Sequence, residues 1–129
     1  MHVSSQKLAS RVQECVAPHL PRGFQLRVNN GAVEILVFDD LLSTIVSPQI
    51  VEDLDDRTIE EKVVTAVSAT LEGIQDAIMR ALGEKWPPSR SGELGLPTTV
   101  LENGKLQSKF CVGDETVLLL PDIPLREIA

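Results

Sequence analysis

Tyrosine is absent from this 129-residue chain, tryptophan occurs once and phenylalanine three times. Its core must therefore be aliphatic, and it lacks the stacking side chains with which single-stranded nucleic-acid binders hold bases. Cations are also few: twelve Lys and Arg stand against nineteen Asp and Glu, for a formal net charge of −7. Phosphate backbones and anionic bilayers are gripped by clustered Lys and Arg. Here those residues are scattered, so neither nucleic acid nor a membrane is expected as a partner. Two cysteines, Cys15 and Cys111, make no disulfide framework, and a reduced, cytoplasmic compartment is the expectation. Residues 1–7 carry no apolar stretch of the kind a secretory signal needs, and no apolar run approaches the length of a membrane span.

Apolar residues make up 43% of the chain, enough for a folded domain of this length to bury a sizeable core. One α+β domain over residues 1–129 is expected. Residues 4–17 read as a helix capped by Ser4 or Ser5, with Leu8, Val12, Cys15 and Val16 on one face and Pro18 ending it. Phe24, Leu26 and Val28 then alternate with polar residues up to Asn30-Gly31, the preferred pair for a type I′ hairpin. Val33, Ile35 and Val37 continue the alternation on the same sheet face. Asp39-Asp40 can turn the chain into a third strand over 41–47, for which a short helix is the alternative. Residues 49–57 form an acidic connector. Thr58 and Glu61 then match a capping box that opens a helix over 58–84, with an apolar stripe from Ile59 to Leu82 and a stop at Gly83. After a loop over 84–97, strands are predicted at 98–102, 105–112 and 115–120, joined by Asn103-Gly104 and Gly113-Asp114. The fold predicted is a mainly antiparallel sheet of five or six strands with two helices on one face.

The two halves share a register. Asn30-Gly31 recurs as Asn103-Gly104, and Pro48-x-Ile50 as Pro121-x-Ile123, at one common offset. An internal duplication of an αβββ unit is one reading; two unrelated hairpins with the same turn chemistry is the other.

No catalytic motif, cofactor loop or metal signature is recognisable. The acidic run Glu52-Asp53-Leu54-Asp55-Asp56 departs from a calcium loop, which needs Gly and Glu where Thr58 and Val64 stand. It suits a solvated helix entry instead. Cys15 and His19 have the spacing of a nucleophile and base, but Pro18 separates them and Cys15 belongs to the apolar stripe. Gly92-Glu93-Leu94-Gly95 has the spacing of an RNA clamp, with a Glu where phosphate would sit.

The remaining signal is an imbalance in the predicted sheet. One face of the second half holds Leu101, Leu106, Phe110, Val112, Val117 and Leu119. The other holds Val100, Leu118 and Leu120 among polar residues, and Leu36 and Phe38 occupy the equivalent face of the first hairpin. Such apolar groups on a second face mark a contact, against the plainer reading that a helix or the tail covers them. Trp86, beside Pro87-Pro88, is either a partner anchor or a ring folded back onto the helix end. The expected partner-binding residues are therefore Leu36, Phe38, Trp86, Val100, Leu118 and Leu120. The order helix, three strands, long helix, further strands resembles that of the small acidic chaperones of type III secretion. Those are typically dimeric and bind a partner segment along their surface. The resemblance is one of element order and carries no motif. The final strand and the lack of a strong third helix depart from it. The expectation is a non-enzymatic adaptor or chaperone-like homodimer. A sensory module with a small apolar ligand between long helix and sheet is the alternative.

Overall fold

The computed structural model describes residues 3–46 and 58–129. The predicted acidic connector, Pro48, Ile50 and the end of the predicted third strand lie outside the described residues. Helix α1 (Ser5–Val16) starts where the Ser4 hydroxyl accepts from the Lys7 N–H at 3.2 Å, and it runs into a 3-10 turn at Ala17–His19. Strands β1 (Phe24–Asn29), β2 (Ala32–Val37) and β3 (Asp40–Val46) follow. Helix α2 (Ile59–Leu82) starts at Thr58, whose hydroxyl accepts from the Glu61 N–H at 3.2 Å. It stops at Gly83, where a left-handed φ of 71° is open to a residue without Cβ. Strands β4 (Leu96–Glu102), β5 (Lys105–Val112), β6 (Glu115–Leu119) and β7 (Ile123–Pro124) complete the order.

The hairpins follow their turn chemistry. Asn30 and Gly31 have φ of 52° and 79°, and Asn103 and Gly104 of 53° and 73°, the left-handed pairs a type I′ turn requires. The registers are those predicted: Leu26 faces Ile35 and Leu101 faces Leu106. The third segment is a strand, reached through Phe38 and Asp39, both left-handed at 48° and 70°. The turn thus falls one residue earlier than the Asp39-Asp40 predicted.

The strands form two sheets rather than one: β1-β2-β3, and β4-β5-β6 with β7 pairing β5 beyond the end of β6. Antiparallel strands leave every second residue's N–H and C=O pointing away from the partner. Pro97 faces Phe110 at such a position, so the open side of β4 lacks a donor there. On β3, Leu42 is a bulge residue, because Ile35 pairs Ser43 while Leu36 pairs Leu41. Neither strand offers the other an unbroken edge, and α2 packs against both instead.

One aliphatic core joins the layers. Helix α1 lies over β1 and β2, α2 over β2, β3 and β4, and the helices touch. Val63, Val67, Leu71, Ile74 and Ile78 of α2 meet Val33, Ile35, Leu106 and Phe110 of the sheets. Gly73 allows the close approach to β3, since a Cβ there would lie 2.9 Å from Ile45 Cγ2. The C-terminal segment docks on α1. The Ser4 N–H donates to the Ile128 carbonyl at 2.8 Å, Arg11 pairs with Glu127 at 2.9 Å, and the Ile128 side chain is fully buried.

Candidate functional site

Strand alternation decides which side chains of the second sheet face away from the core. On β4 and β5 the inward set is Pro97, Thr99, Leu106, Ser108 and Phe110, all buried. The outward set includes Leu96, Thr98, Val100, Gln107, Lys109 and Cys111. On β6 the alternation is interrupted. Phe110 pairs with Leu118 whereas Cys111 pairs with Thr116, so Val117 is an extra residue and the strand changes parity there. Leu118 therefore lies on the Phe110 side, half-buried against the core, and Leu119 faces out opposite Lys109, 66% exposed. Leu120 is buried at 3% exposure, its N–H donated to the Ser108 carbonyl at 3.1 Å.

This corrects the predicted faces: Leu118 and Leu120 belong to the core side, and Leu119 takes the outer place. The apolar run Val117–Leu120 has no alternation of its own, so parity across it was not readable. Val100 does face out, 53% exposed, and Leu96 joins it at 58%. Val100, Leu119, Thr98, Gln107, Lys109 and Asp122 line a shallow groove of about 410 Å³ across this face.

On the first sheet, Leu36 is buried beneath its neighbours, paired with Gln25 on one side and Leu41 on the other. Phe38 is 73% exposed, with its ring laid over Gly23, where a Cβ would come within 2.6 Å of Cζ. Leu41, Leu42 and Val46 are exposed apolar residues of the edge strand β3.

Trp86 is a core residue, 4% exposed, its ring edge-on to Phe110 with centroids 5.6 Å apart. Its carbonyl accepts from Gln75 Nε2 at 3.0 Å, and the same nitrogen donates to the Gly95 carbonyl at 2.6 Å. A single buried amide thus holds both ends of the 84–95 loop to α2, and the indole is not available as an anchor.

Cys15 and His19 do not form a nucleophile–base pair. Cys15 is buried, burial pushes its thiol up from the ordinary value while Arg11 pulls against that shift, and Sγ donates to the Pro121 carbonyl at 3.6 Å. His19 is exposed. Among the described residues no three His, Cys, Asp or Glu side chains gather as a metal site, and no helix is long and apolar enough to cross a membrane. No family model, curated protein or solved structure matches the chain.

Proposed function

We propose that this chain is a non-enzymatic, protein-binding domain of adaptor or chaperone-like kind, cytoplasmic and homodimeric, that holds a partner protein against the outer face of its second sheet. The observation that carries the reading is the exposure of Leu96, Val100 and Leu119 on one face, two of them in a single groove. Leaving that much aliphatic surface wet costs about 25 cal/mol for each Å², and an apolar patch rimmed by Lys109, Asp122 and Gln107 has the make-up of a contact surface.

A further element of the proposal is an internal αβββ duplication, in which the Asn-Gly and Pro-x-Ile marks keep one offset while the third-strand turn and bulge are shifted by two residues in the second half. In each half the bulge residue, Leu42 or Val117, follows the second cross-strand pair from the turn between the second and third strands.

A ligand pocket between α2 and the second sheet has little in its favour. Among the described residues, the cavity between α1, α2 and the second sheet, lined by Val12, Val67, Leu71, Ser108 and Ile123, is about 10 Å³, room for no more than about one water.

The test is stoichiometric co-purification from the native host with the wild-type chain and with Val100→Lys and Leu119→Lys. The partner accompanies the wild type and is absent from both variants, whose circular dichroism and urea midpoints are unchanged. Equal recovery by all three refutes the face as the binding surface.

A further inference from the structure

We infer that β1 is the seat of the homodimer: a second copy adds its own β1 antiparallel to this one about a twofold axis at Leu26, continuing the first sheet across the axis.

Exposed strand edges invite pairing, and chains blunt those they keep apart with bulges, prolines, short strands or charges. Edge by edge, the described strands do so except at β1. Strand β3 carries the Leu42 bulge, β4 carries Pro97, β6 has five residues and the Val117 bulge, and β7 has two residues, one of them Pro124. Strand β1 has six residues in unbroken register with β2 and contains neither Pro nor Lys. Its single charge, Arg27, is neutralised by Glu34 at 2.7 Å. Among the described residues β1 has a ladder partner on one side only. The Phe38 N–H donates to the Gly23 carbonyl at 2.8 Å, which fixes the alternation: Gln25, Arg27 and Asn29 bond to β2. The N–H and C=O groups of Leu26 and Val28 then point outward. They open on a groove of about 790 Å³ between β1 and the Ser10, Gln13 and Ala17 side of α1.

A second copy fits this edge better than an unrelated extended segment because β1 is complementary to itself. About a twofold at Leu26, Leu26 pairs with Leu26 of the second copy and Phe24 stands opposite its Val28. The Phe24 N–H is held by the Pro21 carbonyl at 3.1 Å, so there the Phe24 carbonyl alone bonds across, accepting from the Val28 N–H. Leu26, Phe24 and Val28 all lie on the core face. On the opposite face Arg27 meets Gln25 of the second copy, so like charges never stand opposite. The helices also fit. Strands lie about 4.8 Å apart, and α1 covers both β1 and β2. Its axis therefore falls about 5 Å from the dyad, and two such helices would lie about 10 Å apart, within packing distance. Ser10, Gln13, Glu14 and Ala17 line the approach, and the Glu14 carboxylate is paired with Arg11 at 2.6 Å.

The test is sedimentation equilibrium of the full chain and of two exposed-site variants, Gln25→Glu and Gln25→Arg. Each dimer gains two cross-strand charge pairs, so the Glu variant is expected to tighten the dimer and the Arg variant to loosen it, each by about 2- to 30-fold at low salt. Both effects shrink as salt is raised. Val100→Lys and Leu119→Lys leave the dimer constant unchanged, which separates this interface from the proposed partner face. A wild type that is monomeric at every concentration overturns the inference. So does a dimer indifferent to both Gln25 variants, or a monomer whose β1 takes up an extended segment of another protein.

Discussion

Gln75 ties more of the chain together than its size suggests, and its removal makes a graded prediction. Its amide is 4% exposed and donates from one nitrogen to the carbonyls of Trp86 and Gly95. Gln75→Met keeps the length and roughly the volume of the side chain but leaves two buried carbonyls without a donor. Each net hydrogen bond is worth about 0.5–1.5 kcal/mol, and each orphaned buried acceptor raises the loss toward 1–3 kcal/mol. We therefore expect Gln75→Met to lose about 2–4 kcal/mol in urea unfolding at 25 °C. The amides of the 84–95 loop should exchange faster with deuterium, because α2 no longer holds its ends. Gln75→Glu sharpens the test. An ionised carboxylate would face two carbonyl oxygens in a buried site, whereas the protonated acid can still donate to one. Burial and those acceptors raise the folded pKa of the introduced carboxyl above the ordinary glutamate value of about 4.3. The folded state then binds more protons than the unfolded one. Relative to wild type, the variant is at its best below about pH 4 and loses stability as pH rises through the folded pKa. Gln75→Met within about 0.5 kcal/mol of wild type, or Gln75→Glu with no pH dependence beyond that of wild type, would refute this account of the loop.

Other substitutions test the bulge, the helix approach and the thiols. Leu119→Lys should change unfolding free energy by less than about 0.5 kcal/mol, while Leu120→Lys, one residue on, should cost about 3 kcal/mol or more because it buries an ammonium. Reversed costs would mean that β6 does not change parity at Val117. Gly73→Ala gains about 1 kcal/mol of helix propensity, yet its Cβ would meet Ile45 at 2.9 Å. Overpacking of about 1–3 kcal/mol should make it a net loss. In an Ile45→Ala background the same change should become stabilising, as read by the urea midpoint. Cys111 is half-buried and Cys15 is buried with its pKa raised, so an alkylating reagent at about pH 8 should label Cys111 first and reach Cys15 at a rate set by unfolding. Equal labelling rates on the native protein would show that the tail does not shield α1.

Much of the fold was legible because local chemistry and global structure agree. Asn-Gly pairs fixed two hairpin registers, and Thr58 with Gly83 framed the long helix to within two residues. What was not legible depended on residues that only tertiary structure distinguishes. Leu118 and Leu119 are chemically identical, and the difference between core and surface rests on one extra residue at Val117. Phe38 lacks the usual chemistry for a left-handed turn position, so Asp39-Asp40 looked the better turn. Trp86 could be read as anchor or core until its edge contact with Phe110 and the Gln75 bridge were seen. Two sheets rather than one could not be inferred from strand count, because the separation turns on which edges are blocked. Of the outer face, Val100 was identifiable from alternation, whereas Leu96 precedes the predicted start of its strand and Leu119 was assigned to the core side.

The docking of residues 120–128 on α1 has a consequence for synthesis. Lys7 bonds Ala129 and Cys15 bonds Pro121, across 122 and 106 positions of sequence. At about 5–20 residues per second on the ribosome, Cys15 waits about 5–20 s after its own emergence for the segment that covers it. Strands β1 and β2 arrive early and shelter one side of the helix. The flank destined for Pro121, Ile123 and Ile128 stays uncovered on the nascent chain throughout that interval. Helix α1 is therefore made before the other described elements and is among the last of them to be enclosed, and a nascent-chain chaperone would find its apolar flank there.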